Sequence, residues 1–257
     1  MAFDAIVGNE PVDQLVDSVG ALVDEFRLHL NEDGIRVAAV DPANIAMADV
    51  TIDAAAFESF EATDGTLGIP LSKTGGLEDT VGIATEGNLI WFELQEQTRK
   101  LSIEIDTHEV ELALIDPSSI RQDPDIPDMQ LPGYVVLDAS DLKKAVKIAE
   151  KYSDHILIGG DEDEQLFKIV AEGDTDTYSC EFDAEDRIDA DRIPDASSLL
   201  SADYLKDVTK AIPSNAEVHL FWGNEYPVRF EYGFADDHGS VETVISPRIA
   251  TDGGERL

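Results

Sequence analysis

Four of the chain's nine lysines, Lys143, Lys144, Lys147 and Lys151, lie between positions 143 and 151. The chemistry such a row offers is electrostatic: compact positive charges able to hold an anion. Whether they act together depends on the element that carries them. At about 100° per residue of α-helix, the four fall within roughly a 100° arc. Leu142, Ala145, Val146, Ile148, Ala149 and Tyr152 take the opposite side. Ser140 or Asp141 is expected to cap the start by accepting from a free amide. The segment 139–152 is thus expected to be an amphipathic helix with one apolar and one basic face. A solvated face explains such a row by itself. Against that stands its setting, a chain that otherwise shuns lysine.

Other chemistry is hard to assemble from these residues. There is no P-loop, no G-x-G-x-x-G after a strand, no G-x-S-x-G and no H-E-x-x-H. The five histidines, His29, His108, His155, His219 and His238, are scattered, and His108-Glu109 lacks a second histidine. Carboxylates are so frequent that no pair stands out as an acid/base couple. Cys180 is the only cysteine, which excludes an intrachain disulfide and a cysteine zinc site. Asp161-Glu162-Asp163-Glu164-Gln165 lacks the glycine and the distal glutamate of a calcium loop. No catalysis, no metal and no cofactor are expected.

The elements that must position the lysines belong to a chain of 257 residues, 43% hydrophobic, enough for one large or two ordinary domains. Asp and Glu number 55 against 18 Lys and Arg, a formal net charge of −37. Such a surface in dilute buffer repels itself and nucleic acid alike. Calcium loading, a basic protein partner, or life in very high salt would each explain the acid. The calcium explanation fails on spacing. The acids are spread along the whole chain, which favours a salt-filled cytoplasm, where molar salt screens charges over about 3 Å. The N-terminus, Met1-Ala2-Phe3-Asp4-Ala5, does not read as a signal peptide, and no window approaches the roughly 20 apolar residues of a membrane span. A soluble, cytoplasmic protein without membrane contact is expected.

In order, Phe3–Val7 reads as a strand and Asn9-Glu10-Pro11 as a helix start, followed by apolar residues at helical spacing from Val12 to Val23. Phe26–Leu30 and Ile35–Val40 flank Asn31-Glu32-Asp33-Gly34, a hairpin signal with Gly34 free to take positive φ. Ile45–Ile52 reads as a strand, Asp64-Gly65 as a turn, and Leu77–Ala84 as a short helix. Leu89–Leu94, Lys100–Ile105 and Val110–Ile115 read as strands. The segment 116–133 carries four prolines and is expected to be an extended surface linker. After it the pattern restarts: strand Tyr134–Leu137, the lysine helix, strands Ile156–Ile158, Leu166–Val170 and Thr177–Phe182. A second helix over 201–212 follows, then strands Val218–Trp222, Val228–Phe234 and Val241–Ile245.

The halves match. Leu15 to Leu77 spans nearly the same length of chain as Leu142 to Leu205, so a repeat of about half the chain is expected. The fold class is α+β, with helices packed on one face of antiparallel sheet and sheet edges left for another copy. The expected divisions are 1–115, a linker over 116–133, a second domain over 134–249, and a flexible tail over 250–257.

Asp33-Gly34-Ile35-Arg36-Val37-Ala38-Ala39-Val40-Asp41-Pro42-Ala43-Asn44-Ile45-Ala46-Met47 resembles the signature hairpin and loop of the proliferating cell nuclear antigen (PCNA) family, the sliding DNA clamps. The linker with Ile126-Pro127, the helix from Leu205-Lys206 to Lys210-Ala211, and Val244-Ile245-Ser246-Pro247-Arg248-Ile249 resemble it too. Together these motifs cover nearly the whole chain, and the acidity is that of a salt-adapted archaeal member. The resemblance implies a DNA clamp fold of two similar domains, a homotrimeric ring around double-stranded DNA held without sequence specificity, and no enzyme activity. It implies channel contacts from Lys143, Lys144, Lys147, Lys151, Lys206 and Lys210. It implies a pocket for partner peptides at Val40, Met47, Ile126, Pro127, Pro227, Val244, Ser246 and Pro247. The partners implied are DNA polymerase, clamp loader, flap endonuclease and DNA ligase. Head-to-tail subunit contacts would use Ile105, His108, Val110 and Ala113 against Thr177, Tyr178 and Cys180. Asp13, Asp17, Asp24, Glu78 and Asp79 depart from the basic first-half helices usual in the family. The alternative class is an acidic module that sequesters a basic protein.

Overall fold

The structure, a computed structural model, describes residues 1–72, 74–126, 129–191 and 193–248. The chain divides into two compact units, Met1–Asp125 with Gly233–Val241, and Ile126–Tyr232 with Glu242–Leu257. Residues 116–125 of the expected linker fall in the first unit and the rest in the second. The expected tail, 250–257, lies outside the described residues.

The first unit runs β1 (Phe3–Gly8), α1 (Asn9–Gly20), β2 (Glu25–Asn31), β3 (Gly34–Val40), β4 (Ala46–Asp53), β5 (Phe57–Ala62), β6 (Gly65–Pro70), α2 (Leu77–Val81), β7 (Leu89–Gln95), β8 (Lys100–Ile105) and β9 (His108–Ala113). Its strands lie in the orders β5-β1-β7-β8-β9 and β4-β3-β2-β6. Period-two alternation turns Phe3, Ala5 and Val7 inward from β1. Helical spacing turns Val12, Leu15, Val16 and Val19 inward from α1. Burying each of the larger of these, the valines, Leu15 and Phe3, is worth about 1.5–3 kcal/mol before the entropy of ordering it is subtracted. Gly34 closes the β2–β3 hairpin at φ +147°, and a Cβ there would lie 2.2 Å from the Ile52 carbonyl oxygen, so only glycine fits.

The second unit runs β10 (Gly133–Asp138), α3 (Ala139–Ala149), β11 (His155–Asp161), β12 (Leu166–Glu172), β13 (Thr177–Phe182), β14 (Asp189–Ala190), β15 (Ser197–Ser201), α4 (Ala202–Ala211), β16 (Glu217–Trp222), most of β17 (Val228–Phe234) and the later part of β18 (Gly239–Ile245). Its strands lie in the orders β13-β12-β11-β15 and β14-β10-β16-β17, with β18 following β17. The core centres on Trp222, fully buried, whose indole nitrogen donates to the Ala196 carbonyl at 3.0 Å. The two units are both α+β, and each begins with a strand that runs straight into a helix.

That junction overturns the expected caps. The position before α3 is Asp138, which makes no side-chain cap bond, and Ser140 and Asp141 sit inside the first turn. Asn9 lies within α1 and donates instead to Asp13 at 3.0 Å. With no turn between strand and helix, the first helical amide finds a neighbouring backbone carbonyl. Ala139 donates to Ala216 (3.0 Å), Ala202 to Asp154 (3.0 Å) and Asn9 to Asn88 (3.2 Å). A free amide is satisfied each time, without a side chain.

Four strands were not expected from sequence: β5, β6, β14 and β15. In β5 the apolar Phe57 and Phe60 are three apart, which breaks alternation, and β6 carries two glycines and a proline. The short helix ends at Val81, not Ala84, leaving Ile83 exposed. Tyr152, placed on the apolar face of the lysine helix by spacing, lies beyond its end, 41% exposed and stacked on Tyr178 with ring centroids 5.7 Å apart.

Candidate nucleic-acid and partner interfaces

α3 buries Ala139, Leu142, Ala145, Val146 and Ala149, which sets the opposite face toward solvent. Lys144, Lys147 and Lys151 are exposed and Lys143 is half-buried. α4 packs beside α3 and buries Ala202, Leu205, Val208 and Thr209. Its exposed side alternates in sign: Asp203, Lys206, Asp207, Lys210. Lys206 Nζ lies 2.8 Å from Glu150 Oε2, at the end of α3. That pairing raises the Lys206 pKa above its usual value. The basic face is therefore carried by α3 and, since the helix ends at Ala149, by Lys151 in the turn just beyond it, and α4 adds little net charge to it. In the first unit the corresponding surface is acidic: Glu10 and Asp17 of α1 and Glu78 and Asp79 of α2 are exposed. Asp13 is half-buried, and burial raises its pKa.

β9 is an edge of the first unit's β5-β1-β7-β8-β9 sheet, and β13 is an edge of the second unit's β13-β12-β11-β15 sheet. His108 and Ala113 are exposed and Val110 half-buried on β9; Thr177 is exposed and Tyr178 and Cys180 half-buried on β13. Ile105 is not on the free edge: it is a β8 residue paired with Ile90 on one side and His108 on the other, and is 2% exposed. Burial pushes the Tyr178 hydroxyl up to about 12, with Cys180 adding to the shift. Burial likewise raises the Cys180 thiol.

Val40 and Met47 are cross-strand neighbours at the end of the β3–β4 pair, Val40 buried and Met47 half-buried. In the second unit Ile126, Pro227, Ser246 and Pro247 are half-buried and Val244 is buried. Pro127 lies outside the described residues.

Two features near these residues escaped the sequence. Tyr226 is 59% exposed and follows the turn after β16. A Cβ on Gly223 of that turn would lie 3.3 Å from Tyr226 Cβ, 3.4 Å from Pro132 and 3.6 Å from Leu131, so the later linker packs here. The other feature is the loop between Val40 and Met47. Asp41 is 3% exposed, and its carboxylate accepts from the amides of Ala43 (2.7 Å), Ile45 (2.6 Å) and Ala46 (2.7 Å). Asn44 takes φ +58°, a left-handed conformation that asparagine tolerates. Arg121, from the early linker, donates to the Asp41 carbonyl at 2.8 Å and to the Asn44 side-chain oxygen. Asp41-Pro42-Ala43-Asn44 carried a turn signal that would have flagged the loop; nothing in it pointed to Arg121.

No family model matches the chain. It is 47% identical over 250 residues to the DNA polymerase sliding clamp of Haloarcula marismortui, covering 97% of this chain and 100% of that one. It is 48% identical over 250 residues to that of Halobacterium salinarum, with the same coverage. Among solved structures it superposes on the PCNA of A. fulgidus, determined with the C-terminal region of FEN-1 bound, at a TM-score of 0.90 and 32% identity, covering 98% of this chain and 100% of that one. The PCNA of Thermococcus kodakaraensis, at TM-score 0.86 and 22% identity over 96% of this chain and 100% of that one, shares the fold. The fold and these relatives define a non-catalytic processivity factor. The chain belongs to the archaeal DNA polymerase sliding clamp family, the PCNA clamps, and its near relatives come from halophilic archaea.

Proposed function

We propose that the chain works as a closed homotrimeric ring around duplex DNA, with α3 lining the channel and partners docking on the linker side. The observation that carries this is that β9 ends the first unit's five-stranded sheet and β13 ends the second unit's four-stranded sheet, each with one side free to pair. An edge strand exposes a row of unpaired amides and carbonyls, and two different edges on one chain make a head-to-tail contact that closes when the rotation permits. Lys143, Lys144, Lys147 and Lys151 face phosphates, which carry no sequence information and so allow sliding. Lys210 joins them, and Lys206 joins in so far as Glu150 releases it. The acidic first-unit helices contribute through hydrated cations. DNA polymerase, clamp loader, flap endonuclease and DNA ligase insert short peptides at Val40, Met47, Ile126, Pro127, Pro227, Val244, Ser246 and Pro247. Tethering turns repeated encounters into an intramolecular one at high effective concentration.

The test is particle mass in molar KCl followed by retention on DNA. A particle near three times 28.0 kDa that stays on closed circular DNA and slides off linear DNA supports the ring. A monomer with both edges accessible to amide exchange overturns it. Replacing Lys143, Lys144, Lys147 and Lys151 with alanine should weaken seating on DNA in moderate salt and leave the trimer intact. Unchanged loading and polymerase stimulation would make those lysines ordinary surface.

A further inference from the structure

The early linker is fastened to the first unit at several points. Asp116 accepts from the Ser118 amide at 2.9 Å and shapes a turn at Pro117–Ser119. Just before it, the Ile115 amide donates to the Gly68 carbonyl at 2.9 Å, and Ile120 is buried. Among the described linker residues between Ile120 and Gly133 none pairs with a strand, and polar side chains take over. Asp123 reaches β2, with one carboxylate oxygen 2.8 Å from His29 Nε2 and 3.8 Å from Arg27 Nη1. Arg121 reaches the loop between β3 and β4, where one guanidinium bridges the Asp41 carbonyl and the Asn44 side chain. The loop it grips is already rigid, since Asp41 holds three of its amides. The guanidinium fork suits this task, because two fixed donors meet two fixed acceptors at once.

We propose that Arg121 is a positioning residue for partner binding. It holds the early linker against the Asp41 loop, so that a peptide pressing beside Val40 and Met47 meets a wall already in its bound shape. This rests on the partner-peptide reading above. Ordering a surface segment costs binding free energy, and ordering it beforehand removes that cost. Without Arg121 the linker samples shapes that do not bind, and the apparent dissociation constant rises by the reciprocal of the competent fraction. Arg121 itself need not touch the peptide. Its loss should therefore slow association and leave dissociation nearly unchanged.

The experiment is stopped-flow fluorescence anisotropy on the intact protein in 2 M KCl, where exposed charges are screened within a few ångströms. The probe is a labelled synthetic peptide copied from the C-terminal region of an archaeal flap endonuclease. Arg121→Ala should lower the association rate roughly three- to tenfold, with the dissociation rate within about twofold of the parent. Amide exchange over 117–125 should speed up in the free protein and return to the parent rate when peptide is saturating. Arg121→Lys, able to keep one contact, should recover part of the loss. Asn44→Ala should have a smaller effect, and none in the Arg121→Ala background. Met47→Ala removes a direct contact and should act on dissociation instead. If Arg121→Ala binds at the parent rate, or its defect lies wholly in dissociation with linker exchange unchanged, the positioning role is overturned. If the parent itself does not bind the peptide, or Met47→Ala binds as the parent does, the partner-pocket reading fails at its own control.

Discussion

Lys206 and Glu150 are ion-paired, Nζ to Oε2 at 2.8 Å, where the exposed faces of α4 and α3 meet. The pair splits the six lysines of the proposed channel into two kinds. Lys144, Lys147 and Lys151 stand in solvent, whereas Lys206 spends its charge on a carboxylate of its own chain. Glu150→Gln removes the competitor and keeps the shape. In 0.5 M KCl it should strengthen retention on circular duplex DNA by about two- to fivefold, and the gain should shrink in 2 M KCl as counterion release weakens. Lys206→Ala alone should change retention less than Lys147→Ala does. If Glu150→Gln leaves retention unaltered while Lys147→Ala reduces it, Lys206 is no part of the DNA face.

Gly133 sits at the start of β10 directly over the buried Trp222. A Cβ there would lie 2.3 Å from the indole ring, and Trp222 is pinned by its bond to Ala196. Neither side can yield cheaply. Gly133→Ala should cost about 1–3 kcal/mol of stability, the usual penalty for overfilling a packed core. Denaturant unfolding at fixed salt measures it. A variant as stable as the parent would show that the Trp222 ring has room to shift.

Much of the architecture could be read from spacing, and the failures share one cause. β1, β8, α1, α3 and α4 are amphipathic with one buried face, so their periodicity shows in the residues. β5, β6 and β15 owe their form to partners distant in sequence: β6 pairs with β2 through a stretch holding two glycines and a proline. The starts of α1, α3 and α4 fall where the spacing puts them, but their caps do not, because the strand running straight into each helix leaves no room for a side-chain cap and a loop carbonyl does that work. The lysine row and the Val40–Met47 pair were legible as residue types. The Glu150 partner of Lys206 and the Arg121 tie to Asp41 join residues 56 and 80 positions apart, |150 − 206| and |121 − 41|, and no local pattern encodes them.

The β11–β12 hairpin should report on pH from both sides. Asp161 is held below its usual pKa of 3.8, first by the Glu164 amide and then by Lys168, whose Nζ is 2.9 Å from Oδ2. Lys168 is raised above its usual 10.5 by the same contact. A depressed acid stabilises the fold fully above its unfolded value and loses that contribution as pH falls through the folded one. A raised lysine stabilises below its unfolded value and loses that contribution as pH climbs through the folded one. The pair's contribution is therefore complete between about pH 5 and 9 and fades outside that range. Asp161→Asn keeps an acceptor for the turn but removes the charge. It should lower the thermal midpoint near pH 7 and flatten both limbs of the midpoint–pH curve. Limbs as steep as the parent's would mean other groups carry the pH dependence.

The two edges proposed to meet in the ring are both acidic. β9 carries Glu109 and Glu111, and β13 carries Glu181 with Asp183 just beyond it. Glu111 is paired with Lys100 in its own unit, and Glu181 lies 4.0 Å from Lys168, which already holds Asp161. That leaves Glu109 and Asp183 with no cation beside them among the described ion pairs, and Glu109 lies on the edge strand itself. Like charges brought opposite one another across paired strands oppose the pairing, and only dense salt removes the penalty. Lowering KCl should therefore dissociate the trimer before either unit unfolds, since each unit keeps its own buried core. Light scattering with far-UV circular dichroism over the same salt series separates the two events. Glu109→Gln should move the dissociation midpoint to lower KCl and leave the unfolding midpoint nearly in place. Coincident loss of mass and ellipticity in both proteins would mean that the subunit is not stable outside the ring, and an unmoved dissociation midpoint would place Glu109 outside the interface.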